Sequence, residues 1–258
     1  MFDSLSRIKG MLYRNFIWAC RSPFRLTDVF IWPLVMLFTL TLFLSAVGGS
    51  QQFLGLLILS VIGWRALFFV SFETTAAFVE AHWDRALPNL LVSPINTLEI
   101  AIGGALSGVL KLIMVMIICL SVGHLLYGFA FIQPITFFIA VGFLLISGFS
   151  IGFILFGLAC YFDKRNIFTL SFILPELIGL LSGPYYSIQD VFPPYIVSVL
   201  NLLPTTHAFN LIKSIFGLGQ VNYFMLILTS IIWVIIAILL NNIFYNLGRK
   251  KGTLTKVG

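Results

Sequence analysis

Along this chain, long apolar tracts alternate with short polar breaks, and the tracts lack the polar stripe of a surface helix. No Asp, Glu, Lys or Arg occurs from Val29 to Trp64, from Leu112 to Phe162, or from Ser214 to Gly248. A helix crossing a bilayer needs about 20 mostly apolar residues, so the middle tract is long enough for two. Breaks fall at Gly48-Gly49-Ser50-Gln51-Gln52, at Gln133-Pro134 and at Asp163-Lys164-Arg165. The pattern predicts about six spans, over residues 29–47, 53–72, 99–121, 135–160, 167–183 and 223–246. The fifth is short and carries Pro175 and Glu176.

Two other segments have a different rhythm. Leu5, Ile8, Leu12, Phe16 and Ala19 recur at intervals of three and four residues, with Arg7, Lys9 and Arg14 between them. This predicts an interfacial helix within residues 1–28, its basic face toward anionic lipid. Residues 183–222 hold Pro184, Pro193, Pro194 and Pro204 around the apolar run Tyr195–Leu200. That composition predicts short re-entrant or interfacial helices, whose irregular backbone must be buried in protein or line a cavity. The expected fold is an all-α integral membrane protein, a single transmembrane domain over residues 1–258.

Composition agrees with the pattern. Hydrophobic residues make up 60% of the 258 positions and charged residues 9%. A soluble domain carries roughly 25% charge, so there is too little here to cover a soluble particle. The formal charge of +6 therefore points to membrane topology and not to nucleic acid. Arg7, Lys9, Arg14, Arg21, Arg25, Arg85, Lys164, Arg165, Arg249, Lys250, Lys251 and Lys256 fall at the termini or in alternate loops, on one side of the predicted spans. An even number of spans with both termini cytoplasmic fits this distribution. The first apolar run starts late and runs on too long for a secretory signal, so it is expected to be retained. Cys20, Cys119 and Cys160 show no metal-ligand or paired spacing, and no disulfide framework is implied.

Candidate chemistry is sparse. Arg65, Lys111 and Glu176 are ionisable residues inside spans, where charge is costly and marks a cavity, a partner or a snorkelling side chain. Arg65 is expected near the cytoplasmic end of its span; Lys111 and Glu176 are candidate pathway or structural residues, open to contact with one another, with substrate or with lipid. Gly104/Gly108, Gly148/Gly152 and Gly179/Gly183 have the spacing that lets helices approach closely. No catalytic triad or metal-binding arrangement surrounds His207, which is read as a structural turn residue. Tyr185, Tyr186, Phe192 and Tyr195 suit an aromatic belt or an exit for an amphipathic molecule.

The cytoplasmic region 73–98 is longer and more acidic than a turn requires, with Glu73, Glu80 and Asp84, then Glu99 after it. On a helix, Glu73, Ala77 and Glu80 share a face, as do Glu80 and Asp84. Composition alone leaves two readings, a solvated connector or a short helix that docks into a partner's groove. The order of residues narrows them. Asn89, Leu90-Leu91-Val92-Ser93-Pro94 and Glu99 resemble the cytoplasmic motif of ABC-2 type transporter permeases. The Gly-Thr pair common before that core is replaced by Asp84-Arg85-Ala86-Leu87. A second stretch is similar to the family's segment between spans five and six, through Gly183, Phe192-Pro193, Leu203-Pro204-Thr205-Thr206-His207, Lys213 and Gly217. Lys213 stands where an Arg is usual, keeping charge but losing the guanidinium fork. The resemblance covers about residues 5–248.

The resemblance implies the permease subunit of an ABC exporter, without an ATPase site or bound cofactor of its own. Its implied partners are two copies of an ATP-binding subunit using ATP and Mg, a second copy of this permease or a homologue, and membrane lipid. The implied location is a prokaryotic cell membrane, the inner one in a Gram-negative cell. Consistent with this, the sequence has no G-x-x-x-x-G-K-[ST] phosphate loop. Glu73, Phe78, Glu80, Trp83, Asp84 and Arg85 would form the coupling region, with Phe78 and Trp83 as groove anchors. Gly183, Pro193, Pro204, Thr206 and His207 would form the extracytoplasmic motif, with Lys213 a further polar candidate. Lipid-linked glycan and hydrophobic drug or lipid remain alternative cargoes, and a non-transporting assembly or sensory subunit is the alternative function.

Overall fold

The computed structural model describes residues 4–21 and 23–253; Lys256 and the side chains of Cys20, Arg25 and Leu91 lie outside the described set. The described chain is helical throughout its ordered elements. Helices α1 (Ser4–Arg21), α2 (Pro23–Val47) and α3 (Gln51–Trp83) lead to a short α4 (Leu87–Val92). Then come α5 (Thr97–Tyr127), α6 (Pro134–Tyr161), α7 (Lys164–Leu181), the short α8 (Ile188–Val191) and α9 (Pro194–Leu200), α10 (Pro204–Ser214) and α11 (Tyr223–Lys251).

Among the described residues, five helices are long and apolar enough to cross a membrane: α2 from Leu26, α3, α5, α6 and α11. Helix α7, at the expected fifth span, has 18 residues and carries Lys164, Arg165 and Glu176. At 1.5 Å per residue it is about 27 Å long, just short of a straight crossing. The expected re-entrant region is a bent pair, α9 and α10, meeting at 95°. The architecture is that of an all-α, multi-pass membrane protein.

Helix α3 is the hub. It packs against α5, α6, α7, α2 and α10, and nearly every side chain from Gly55 to Val79 is buried. In contrast α11 and α5 expose Ile231, Ile235, Leu239, Ile113 and Ile117 on the perimeter. An apolar exterior around an apolar core is what lipid, and not water, tolerates as solvent.

Close approach to α3 is made possible by glycine. A Cβ on Gly108 would lie 2.7 Å from the Phe69 carbonyl oxygen, and one on Gly104 would strike that of Glu73. On α6, Gly148 and Gly152 meet the Leu67 and Ser71 carbonyls in the same way. These two small-residue pairs seat α5 and α6 against α3 within one chain. The third pair divides: Gly179 lies against the Trp64 ring, while Gly183 is a left-handed turn residue (φ +66°) after α7.

At 33 residues, α3 is about 50 Å long and exceeds the hydrocarbon thickness of about 30 Å. The span expected to end at 72 instead runs on to Trp83, so the first half of the expected loop is helix. Arg65, in the fifteenth position of α3, consequently lies mid-helix and not near its end.

Candidate functional site at the basic end of the central helix

One end of the bundle collects the basic groups. Arg7 and Arg14 of α1, Arg85 after α3, Lys164 at the start of α7 and Lys251 at the end of α11 all lie there, tied by local contacts. Arg14 donates to the Ala77 carbonyl at 3.1 Å. Lys164 donates to the Thr253 carbonyl at 2.9 Å, and Lys251 to the Tyr161 hydroxyl at 2.7 Å. Both ends of the described chain are therefore at the same end of the bundle.

One exposed feature of this end is the turn that stops α3. The N–H of Asp84 bonds back to Glu80, and the N–H of Ala86 to the Ala81 carbonyl at 2.9 Å. This turn needs a left-handed residue, and Arg85 supplies it with φ 56°. Glycine ordinarily occupies such a position, since a side chain there costs about 1–2 kcal/mol. Trp83 is 47% exposed yet packs edge-on against Phe168 of α7, ring centres 4.6 Å apart. Asp84 and Arg85 are exposed, and Glu80 is half-buried.

Two expected coupling residues lie elsewhere. Glu73 is 2% exposed, inside the bundle, with Lys111 Nζ 2.5 Å from its Oε1. Phe78 is 1% exposed and packs on Phe156 of α6 at 4.8 Å. Neither presents a surface to a separate chain. The reason is the continuation of α3: extending the helix carries these positions along its buried side instead of out into a loop.

The Leu-Leu-x-Ser-Pro stretch resolves into turn chemistry. Pro88 lies in the first turn of α4, where its missing N–H costs nothing, and Leu87 is buried. Ser93 ends α4, its hydroxyl donating to Leu90 O at 2.7 Å. The Asn96 N–H then donates to Glu99 Oε2 at 2.9 Å, starting α5. Glu99 also accepts from Arg7 and from the Ser4 hydroxyl, clamping α1 to α5.

This inward use of cations corrects the expected orientation of α1. Arg7 faces Glu99, and Arg14 is drawn against α3, while Lys9 remains exposed. Burial lowers the Arg14 pKa from its ordinary value, an effect opposed by the nearby Asp84 charge. Sequence periodicity had no means of registering these partners, which sit more than sixty residues away.

Two ion pairs link α3 to its neighbours at different levels. Glu73 meets Lys111 of α5; Arg65 Nη1 lies 3.3 Å from Glu176 Oε1 of α7. Arg65 Nη2 also approaches Met36 Sδ of α2 at 3.8 Å, and its guanidinium lies over the Phe68 ring. The Glu73–Lys111 pair borders a narrow crevice of about 40 Å³ lined by Asn15, Phe30, Ser107 and Met114.

At the far end, the Leu-Pro-Thr-Thr-His stretch closes the bent pair. Pro204 starts α10, and Thr205 meets the Ser182 hydroxyl at 2.5 Å. Thr206 donates to Leu200 O at 2.8 Å, and His207 Nε2 lies 2.9 Å from Asn201 O. Leu200 and Asn201 end α9, so these side chains satisfy carbonyls that the break in the helix leaves without intrahelical partners. Pro193 precedes α9, and Gly183 turns the chain out of α7. Lys213 is 4% exposed and donates to Tyr186 O at 3.0 Å.

The chain matches no protein-family model and no curated protein.

Proposed function

We propose that this chain is the membrane subunit of an ATP-driven exporter of the ABC-2 permease kind. The observation that carries this reading is the exposed turn Trp83-Asp84-Arg85 on the end of a helix buried along almost all its length. A push on that turn acts on a rigid rod packed against α2, α4, α5, α6, α7 and α10. Rigid-body motion of packed helices is an established way to carry such a push across a membrane. The positive φ of Arg85 adds support, because a strained residue kept where glycine would serve is a mark of function.

In this reading the basic end faces the cytoplasm, α7 completes six spans, and both termini are cytoplasmic. Two copies of a separate ATP-binding subunit supply hydrolysis with ATP and Mg, and a second copy of this permease or a homologue completes the pathway. Trp83, Asp84 and Arg85 make the contacts, flanked by the exposed Asn89 and by Val92. Glu73 and Lys111 transmit motion between α3 and α5.

Co-purification with native partners, followed by ATP-dependent transport into inverted vesicles, tests the proposal. Asp84→Arg combined with Trp83→Ala is expected to abolish capture of the ATP-binding partner while the permease still folds. Full capture and coupled ATPase in that variant would remove the turn from the mechanism.

A further inference from the structure

At the end of the bundle opposite the basic cluster, the bent pair and the loop after α10 enclose a cup of about 350 Å³. Its lining is polar: Ser187, Gln189, Asn201, Asn210, Gln220 and the ammonium-bearing Lys213. The cup is built by backbone turns. Gly217 takes a left-handed conformation (φ +73°), and Leu218 N–H returns to the Lys213 carbonyl at 3.1 Å. Gly219 then passes so close that a Cβ there would lie 2.6 Å from the Asn210 carbonyl oxygen.

Lys213 gives the cup its sign. An ammonium carries three donors, and a buried one demands acceptors. Tyr186 O accepts one bond, leaving donor capacity beside four side-chain amides. No acidic side chain is among the described residues that line it. Leu218 lines the cup and is exposed, and Tyr195, Val199 and Leu202, on α9 and in the turn after it, are exposed as well. A polar lining with one ammonium, beside the exposed apolar side chains of α9, suits a molecule that pairs an anionic, hydroxyl-bearing part with an acyl part.

We propose that this cup binds a phosphorylated polyol group, such as the phosphoglycerol or sugar-phosphate head of a membrane lipid. The Lys213 ammonium pairs with the phosphate, and Asn210, Asn201, Gln189 and Gln220 exchange hydrogen bonds with the hydroxyls. A volume of this order accommodates a small headgroup. The inference stands apart from the exporter reading, since binding here requires neither ATP nor a partner chain.

The test uses the full chain in phosphatidylcholine nanodiscs, with phosphatidylglycerol doped into the bilayer in one arm and soluble glycerol phosphate added in the other. Native mass spectrometry reads retained lipid, and calorimetry reads the soluble compound. Retention of phosphatidylglycerol alone supports a membrane-lipid ligand, and binding in both arms supports recognition of the phosphate-polyol group from either source. Lys213→Gln is expected to weaken binding about tenfold, the value of a hydrogen bond to a charged group. Because Lys213 also holds Tyr186, the second variant is Asn210→Leu, which blocks the cup from another position and leaves that bond intact. Binding in neither arm, or binding unchanged in both variants, overturns the proposal.

Discussion

Arg7 and Glu99 form a two-pronged ion pair, with Nη2 2.6 Å from Oε1 and Nε 2.9 Å from Oε2. The same carboxylate accepts the Asn96 N–H that starts α5. One side chain thus caps a spanning helix and fastens the amino-terminal helix to it. Arg7→Gln is expected to cost about 1–3 kcal/mol, the range for hydrogen bonds to charged groups and for losing a partner. Thermal unfolding checks the stability, and limited proteolysis near α1 checks its detachment; unchanged protection would count against the clamp.

The Glu73–Lys111 pair is buried on both sides. Removing one partner leaves an uncompensated charge, so Glu73→Gln or Lys111→Met alone is expected to destabilise by about 3–5 kcal/mol. The double substitution Glu73→Gln with Lys111→Met should recover much of that loss. Unfolding of the four proteins completes a double-mutant cycle, and additive losses would show that the two residues act independently.

Gly108 and Gly152 meet the carbonyls of α3 from two sides. Gly108→Val or Gly152→Val must move a whole helix, because the obstructing atoms are backbone. The expected cost is about 1–3 kcal/mol or more, read as a lower melting temperature. Gly142→Ala, where a Cβ meets nothing within 4 Å, is the control expected to leave stability unchanged or raise it.

Arg85 occupies a left-handed position in the turn after α3. Arg85→Gly is expected to stabilise the chain by about 1 kcal/mol through relief of that conformation. If the side chain serves contact with an ATP-binding partner, the same variant lowers coupled ATPase activity. A gain in melting temperature with unaltered coupling would assign Arg85 no role beyond the turn.

His207 and Thr206 satisfy the last carbonyls of α9. Thr206→Val retains shape and loses one hydrogen bond to the Leu200 carbonyl, which keeps the Leu203 N–H at 3.0 Å, at a cost of about 0.5–1.5 kcal/mol. Hydrogen exchange in α9 and α10 should rise locally, leaving α3 and α6 protected. Uniform change across all helices would instead indicate a global defect.

The all-helical membrane architecture was legible from sequence because lipid imposes a simple rule. Segments of about 20 apolar residues must be helical, and their charges must collect at the ends. The tracts around α2, α5, α6 and α11, the proline-broken region and the amino-terminal helix all follow from it. What failed was the end of α3. Glu73, Glu80 and Asp84 look like a loop when read one by one, yet Glu73 is buried because Lys111 meets it from 38 residues away. Phe78 looked like an anchor for a partner, but aromatic character does not say which surface an aromatic ring fills.

Sequence by itself determined that this is a helical, multi-pass membrane protein, which turns break it, and which few charges lie among its apolar tracts. Tertiary structure decided their partners: Arg7 with Glu99, Arg65 with Glu176, Glu73 with Lys111, and paired glycines with one central helix. The physical reason is range. Hydrophobicity and turn propensity are properties of neighbouring residues, whereas the neutralisation of a buried charge depends on which helix the fold brings beside it.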